Sequence, residues 1–453
     1  MIETQRPAGT HIPSVFLALA SGLGLAVGLL AAILFGVAGL NDLNDNALTQ
    51  ALGNMSLAWS ALLVALLNIP ALRYSLPRIS GQPAPQGTMQ AGWRNASLAL
   101  VLWAVVVTGA GLLASDLNVL TVILLPPLGL LAAGIPVWWL IELGRRGLHT
   151  SPQRLWGTVT ASLVATMPVV ILAELSGFLI IGILLLAWLA SSSPNLISQL
   201  QDLVISISNG GASPEALIRT LSPYLEKPGI VLAGLAIFGL IMPLAEELFK
   251  TLALWFIPGK RVSEAEGFTL GLVAGGTFAL IETLNTLPAM IGQEWAFLIL
   301  ARAATSLLHI TCGGLVGWGL ASAWQNERYF RLGGLFLLAV IIHGTWNLFV
   351  QFSAIQELTT RLPIDISLFS KLAPFVLVTV PLLMLVLLIW INYHLRDQPA
   401  LEGDRPAEVS ALNLNTFEPG AVLYPQIQPG DVEPEPPPFE AQGVHPPSNP
   451  PPQ

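Results

Sequence analysis

Ten apolar stretches, each about long enough to cross a lipid bilayer, account for most of this chain. A transmembrane helix needs about 20 predominantly apolar residues to span the roughly 30 Å hydrocarbon layer. Hydrophobic residues make up 53% of the 453 residues and charged residues only 10%, which excludes a soluble globular domain. The sequence therefore predicts an all-α fold, a polytopic integral membrane helical bundle of about ten transmembrane helices. The predicted spans lie near 14–40, 55–72, 96–114, 119–142, 158–190, 229–257, 267–292, 295–323, 333–353 and 372–394.

Arginine and lysine are concentrated in alternate loops, and this pattern sets the expected orientation. Basic residues follow spans two, four, six, eight and ten, whereas the intervening short loops are acidic. Short cytoplasmic loops carry an excess of Lys and Arg, so we expect both termini in the cytoplasm. The first span is about twice as long as the apolar region of a signal peptide and is therefore expected to be a retained anchor.

Composition divides the chain into four regions. We predict an N-terminal membrane domain of about five helices at 1–190, an extracytoplasmic loop at 191–228, and a second membrane domain at 229–394. Ser213-Pro214-Glu215 provides an N-cap, a first-turn proline and a first-turn acid, which predicts an amphipathic helix in the loop. Fourteen of the 35 prolines fall in the tail 395–453, where few apolar residues could form a core, so we expect a disordered, Pro-rich cytoplasmic tail.

Two adjacent carboxylates and a lysine interrupt the sixth apolar stretch, at Glu246, Glu247 and Lys250. A charged side chain at the centre of a bilayer costs roughly 2.5 to 3.5 kcal/mol on insertion scales, so three together require compensation. Lys250 lies three and four residues from the two acids and can therefore neutralise one of them. The other carboxylate would remain available for chemistry, and we favour Glu246 for that role.

The next three spans carry polar residues at similar depth. Span seven contains Phe278 and Glu282, span eight contains His309, and span nine contains His343 and Asn347 one turn apart. Only two of the six histidines lie well inside a predicted span, and both belong to this group. The candidate catalytic residues are Glu246, Glu247, Glu282, His309, His343 and Asn347, with Lys250 in support.

Hydrolysis inside a membrane requires a base for a trapped water and donors for the developing oxyanion. Glu246 or Glu247 suits the base, His309 can position the water, and His343 with Asn347 can face the oxyanion. The same side chains can instead hold one divalent metal such as Zn²⁺. The spacing leaves the metal-free and metal-dependent mechanisms open, and the candidate ligands are Glu246, Glu282, His309 and His343.

Glu246-Glu247-x-x-Lys250, Phe278-x-x-x-Glu282, His309 and His343-x-x-x-Asn347 together resemble the four-motif signature of the PrsW intramembrane proteases. That family is related to the CAAX prenyl proteases and the bacteriocin-immunity proteins. Glu282 stands where CAAX-type relatives carry His, which favours the PrsW branch. The resemblance implies a glutamate-activated water, a location in a bacterial cytoplasmic membrane, and a membrane-tethered substrate similar to an anti-sigma factor.

Two other classes of function fit the same residues. Intramembrane carboxylates and histidines can form the relay of an ion- or proton-coupled transporter, or remain in a catalytically silent scaffold. We expect the lipid bilayer and a membrane-tethered protein as partners, and no nucleic acid.

Several other intramembrane residues have simpler structural interpretations. Arg302 could bind substrate or extend outward to the interface, and we expect the latter. Cys312 is expected to fill space in the core. Glu174, with no partner nearby in sequence, fits a packing residue and a pore-facing group equally well. Glycine pairs in spans seven and eight are expected at positions of close helix packing: Gly271 and Gly275, Gly313 and Gly317.

Overall fold

The computed structural model describes residues 12–81, 89, 91–208, 223–224, 226–257, 262–354 and 365–396. Within these ranges the chain is mainly helical, with short turns between helices, and the single isolated β-bridge joins Met89 and Thr150. The first helices are α1 (Ile12–Asn44), α2 (Leu48–Leu67), α3 (Ile69–Ile79), α4 (Trp93–Ala114), α5 (Val119–Gly144), α6 (Pro152–Ala161), α7 (Met167–Ser192) and α8 (Pro194–Ser208). They are followed by α9 (Pro228–Ala236), α10 (Met242–Lys250), α11 (Leu252–Trp255), α12 (Glu264–Thr286), α13 (Trp295–Asn326), α14 (Tyr329–Ala354) and α15 (Ser367–Arg396).

Ten helical segments in the described part of the chain are long and apolar enough to cross a membrane. Three of them combine shorter helices: α2 with α3, α6 with α7, and α9 with α10 and α11. Apolar side chains such as Leu19, Leu98 and Val386 are exposed on the outer surface, where lipid would cover them. The all-α, ten-span prediction is confirmed, and the protein is an integral membrane protein.

Two predicted regions lie outside the described residues. The amphipathic helix expected to begin at Ser213 falls in one of them, and the tail from 397 onward falls in the other. The division into membrane domains at 1–190 and 229–394 stays a prediction.

The span that carries Glu246 is interrupted by a π-helical turn, Ile237–Ile241, directly before α10. The N–H of Met242 bonds to the carbonyl of Ile237, and Pro243 has no backbone N–H, so the carbonyl of Phe238 lacks a donor within its own helix. The side-chain amide of Asn347 on α14 donates to the carbonyl oxygen of Phe238 at 3.2 Å. A side chain from a neighbouring span thus satisfies a carbonyl that the proline leaves free.

Helices α12 and α13 touch through their backbones. A Cβ atom added to Gly275 would lie 2.2 Å from the carbonyl oxygen of His309, and one added to Gly271 would lie 2.2 Å from that of Gly313. No side chain fits in these gaps, so the predicted close packing at the glycines is confirmed. The contact fixes the register of α12 against α13.

Helix α14 approaches the interrupted span equally closely. A Cβ atom on Gly344 would lie 2.1 Å from the carbonyl oxygen of Gly239, beside the π-helical turn. Gly344 directly follows His343, so this contact sets the position of the histidine relative to α10.

Candidate active site

Four spans bring ionisable side chains together in the interior of the bundle. Helix α10 supplies Glu246, Glu247 and Lys250, α12 supplies Glu282, α13 supplies His309, and α14 supplies His343. Hydrogen bonds and ion pairs join these side chains across the four spans. Six of the seven residues singled out from the sequence therefore form one cluster.

Glu247 is held from two sides. Its Oε1 atom accepts from the Lys250 ammonium at 2.5 Å and from Nδ1 of His343 at 2.8 Å. Glu247 and Lys250 are both fully buried. The bond to Glu247 places the proton of a neutral His343 on Nδ1 and leaves a lone pair on Nε2.

The tautomer of His309 also follows from its hydrogen-bond partners. Lys250 carries only donors, so Nδ1 of His309 accepts from its ammonium at 2.9 Å. The proton of a neutral His309 is then on Nε2, which donates to Oε2 of Glu282 at 2.8 Å. Both ring nitrogens of His309 are engaged.

The Oε2 atoms of Glu246 and Glu247 are both buried without a hydrogen-bond partner among the described residues. Glu246 differs from its neighbour because Lys250 forms its ion pair with Glu247. Nε2 of His343 lies 3.7 Å from Oε2 of Glu246. Two acceptor atoms that face each other in a buried site repel unless a proton donor or a cation lies between them. The side chain of Glu174, on α7, also lies within hydrogen-bonding reach of the Glu246 side chain.

Three of the residues could hold a metal ion. One ligand atom from each of Glu246, His309 and His343 can be chosen so that all three lie within 4.8 Å of one another. The unpartnered oxygen of Glu246 and the lone pair on Nε2 of His343 fit such an ion, and Glu247 would orient the histidine from behind. His309 would have to give up one hydrogen bond to ligate. Glu282 lies outside this set.

The aromatic residue of the second motif supports the cluster. The Phe278 ring lies 4.7 Å from the Lys250 ammonium in a cation–π contact and 5.0 Å from the His309 ring in an edge-to-face contact. The ring therefore stabilises the buried ammonium.

Asn347 lies outside the polar cluster, because its amide is bound to Phe238. Cys312 is fully buried in an apolar core, as predicted.

Two residues contribute more than the sequence suggested. The expectation that Arg302 extends outward is wrong: its Nη1 donates to Oε1 of Glu282 at 3.0 Å and its Nε donates to Oγ1 of Thr283 at 3.2 Å. The side chain is only 16% exposed. The carboxyl group of Glu174 lies close to that of Glu246, which is distant in sequence. Both contacts join different spans, so residue spacing along one helix could not reveal them.

An apolar cavity of about 790 Å³ lies on the opposite face of α12 from the cluster. Val273, Thr277 and Leu280 line it, whereas Phe278 and Glu282 project from the other side of the helix. The cavity is therefore separate from the candidate active site.

A family model described as "PrsW family intramembrane metalloprotease" matches residues 155–386, just over half of the chain. The matched range contains every residue of the cluster, together with Glu174, Arg302 and Asn347. No curated protein and no solved structure matches the chain.

Proposed function

The chain belongs to the PrsW family of intramembrane metalloproteases, and from this we propose that Glu246 activates a water to hydrolyse a membrane-tethered protein. The observation that carries the proposal is the unpartnered, buried Oε2 of Glu246 opposite Nε2 of His343, 3.7 Å away. A base must have a free lone pair within reach of the water that it deprotonates. Glu246 meets that requirement, and its carboxylate, unlike that of Glu247, is not held in an ion pair with Lys250.

The neighbouring residues hold this arrangement in place. Glu247, neutralised by Lys250, binds Nδ1–H of His343 and so directs the Nε2 lone pair toward Glu246. Lys250 and Glu282 bind the two nitrogens of His309 and fix its tautomer. After attack, the proton taken by Glu246 would be delivered to the leaving amine, which completes the exchange of a peptide bond for a carboxylate and an amine.

For the metal-dependent form of this function, we propose that Glu246, His343 and His309 hold one divalent metal ion, with His309 exchanging one of its two hydrogen bonds for the ion. The facing acceptor atoms of Glu246 and His343, and the proximity of Glu174, favour a positive charge at this position. Zn²⁺ accepts nitrogen and carboxylate ligands of this kind. When bound, such an ion supplies activation of water and polarisation of the scissile carbonyl.

By resemblance, we propose a substrate similar to an anti-sigma factor, a protein tethered to the bacterial cytoplasmic membrane in which this chain resides. A substrate should accumulate in cells that carry Glu246→Gln, which keeps the shape of the side chain but removes the base. Quantitative membrane proteomics should show the intact substrate rising and its fragments disappearing relative to wild type.

Glu294→Gln is the matched control, because Glu294 is exposed in the connection between α12 and α13. It should leave the proteome unchanged. If Glu246→Gln and wild-type cells show the same membrane proteins and the same fragments, the proposed function is wrong.

A further inference from the structure

Arg302 has a donor group for which the structure provides no acceptor. Its Nε and Nη1 atoms bind Thr283 and Glu282, but Nη2 is buried and lacks a hydrogen-bond partner among the described residues. A buried donor on a charged group costs free energy when it stays unpaired. The guanidinium is held in one orientation by two bonds, with its third nitrogen ready for an acceptor.

A hydrogen-bond acceptor on a substrate can approach Nη2 of Arg302 from the side of the cluster on which Glu282 lies. The Glu282 side chain is 38% exposed, whereas those of Glu246, Glu247, His309 and His343 are at most 7% exposed. Glu282 therefore marks the open side of the cluster, and Arg302 lies directly against it. A substrate that enters here would pass beside Arg302, which binds Glu282.

Charge determines which kind of acceptor fits. The carboxylate of Glu282 already offsets the charge of Arg302. A second carboxylate from the substrate would lie near Glu282 and be repelled, whereas a neutral carbonyl oxygen would not.

An intramembrane substrate has such carbonyls to offer. A transmembrane helix must unwind locally before one of its peptide bonds can be attacked, and each carbonyl released in this way needs a donor that hydrocarbon cannot supply. Asn347 and His343 are not available as that donor. The amide of Asn347 is bound to the carbonyl of Phe238, and Nε2 of His343 carries a lone pair when Nδ1 donates to Glu247.

We propose that Nη2 of Arg302 donates a hydrogen bond to a backbone carbonyl oxygen of the unwound substrate. Arg302 is thereby a substrate-binding residue, and the assignment rests on the proposed protease function. Glu282 and Thr283 hold the guanidinium in place, and the substrate satisfies its free nitrogen.

The test compares Arg302→Lys with wild type in the cleavage of one reporter. The reporter is a fluorescently labelled transmembrane segment of the protein that accumulates in Glu246→Gln cells. Lysine keeps the positive charge beside Glu282 but has no third nitrogen on a rigid plane. We expect KM to rise about tenfold, as for the loss of one charge-assisted hydrogen bond, while kcat stays within about twofold.

The matched control is Arg328→Lys, which makes the same change at an exposed arginine paired with Glu264. It should leave KM and kcat at wild-type values. An unchanged KM in Arg302→Lys would overturn the inference about Arg302 but not the proposed protease function. A fall in kcat with unchanged KM would also overturn it, since Arg302 would then act only through Glu282 and His309. If the wild type does not cleave the reporter, the proposed function and the inference are both wrong.

A second measurement changes the acceptor on the substrate instead of the donor on the protein. Each backbone amide of the reporter is replaced in turn by an ester, whose carbonyl is a weaker acceptor. Wild type should show a raised KM for an ester at one position, and Arg302→Lys should be insensitive at that position. If the KM of the wild type is the same for the amide reporter and for the ester at every position, the proposal is wrong.

Discussion

At the scale of single residues, Glu246 and Glu247 show how adjacent identical side chains acquire different roles. Successive residues on a helix point about 100° apart, so the two carboxylates face different neighbours. Oε1 of Glu247 binds Lys250 and His343, whereas Oε2 of Glu246 faces the lone pair on Nε2 of His343 at 3.7 Å. We infer that Glu247 is a positioning residue and Glu246 the base.

This assignment predicts that substitutions of the two glutamates change the free energy of unfolding differently. Glu247→Gln leaves the fully buried ammonium of Lys250 without its carboxylate, so the free energy of unfolding should fall by about 3–5 kcal/mol. Glu246→Gln removes a carboxylate that has no direct ion pair with Lys250, and stability should hold or rise. Unfolding in detergent, followed by circular dichroism, measures both. Equal losses in the two variants would contradict the assignment.

The metal proposal makes a prediction of its own. Protein purified from metal-replete cells should contain about one divalent ion per chain by mass spectrometry, and His343→Ala and Glu246→Ala should each lose it. His149→Ala, at an exposed histidine outside the cluster, should keep it. Wild-type protein without a metal, or variants with undiminished content, would show that this cluster is not a metal site.

At the scale of helices, the site depends on an interruption in the span that carries Glu246. Pro243 removes a backbone donor, the helix widens into a π-helical turn, and Asn347 binds the carbonyl of Phe238. Gly344 allows α14 to approach the same turn. These features together place His343 opposite Glu246.

The link between Pro243 and Asn347 can be measured by a double-mutant cycle. Asn347→Leu should cost about 1–3 kcal/mol of stability, because the carbonyl of Phe238 loses its donor. In a Pro243→Ala background the new backbone N–H can bond within the helix, so the same substitution should cost clearly less. Equal costs in both backgrounds, measured by unfolding in detergent, would mean that Asn347 does not compensate for the proline.

The helices themselves were largely predictable, whereas their interruptions were not. Apolar length predicts each span, and paired glycines such as Gly271 and Gly275 predict where two spans touch. A proline predicts that a donor is missing, but the residue that replaces it comes from another span. Asn347 could be recognised as a buried polar residue, yet its bond to Phe238 depends on how α14 packs.

At the scale of the whole molecule, the bundle joins residues that are far apart along the chain. The sequence predicted the members of the cluster because polar residues are rare in transmembrane spans. The partners of Arg302 and Glu174 were not predictable, since each contact requires the relative rotation and depth of two helices. The cytoplasmic location of both termini stays a prediction.

The most direct test of Glu246-dependent hydrolysis uses purified full-length protein in lipid nanodiscs, with the accumulated substrate and water enriched in ¹⁸O. We predict that wild type cuts the substrate at its membrane segment and that the new C-terminus carries ¹⁸O. Glu246→Gln should reduce the rate at least about 100-fold, and Glu294→Gln should cleave at the wild-type rate. Cleavage by Glu246→Gln at the wild-type rate would contradict the central claim.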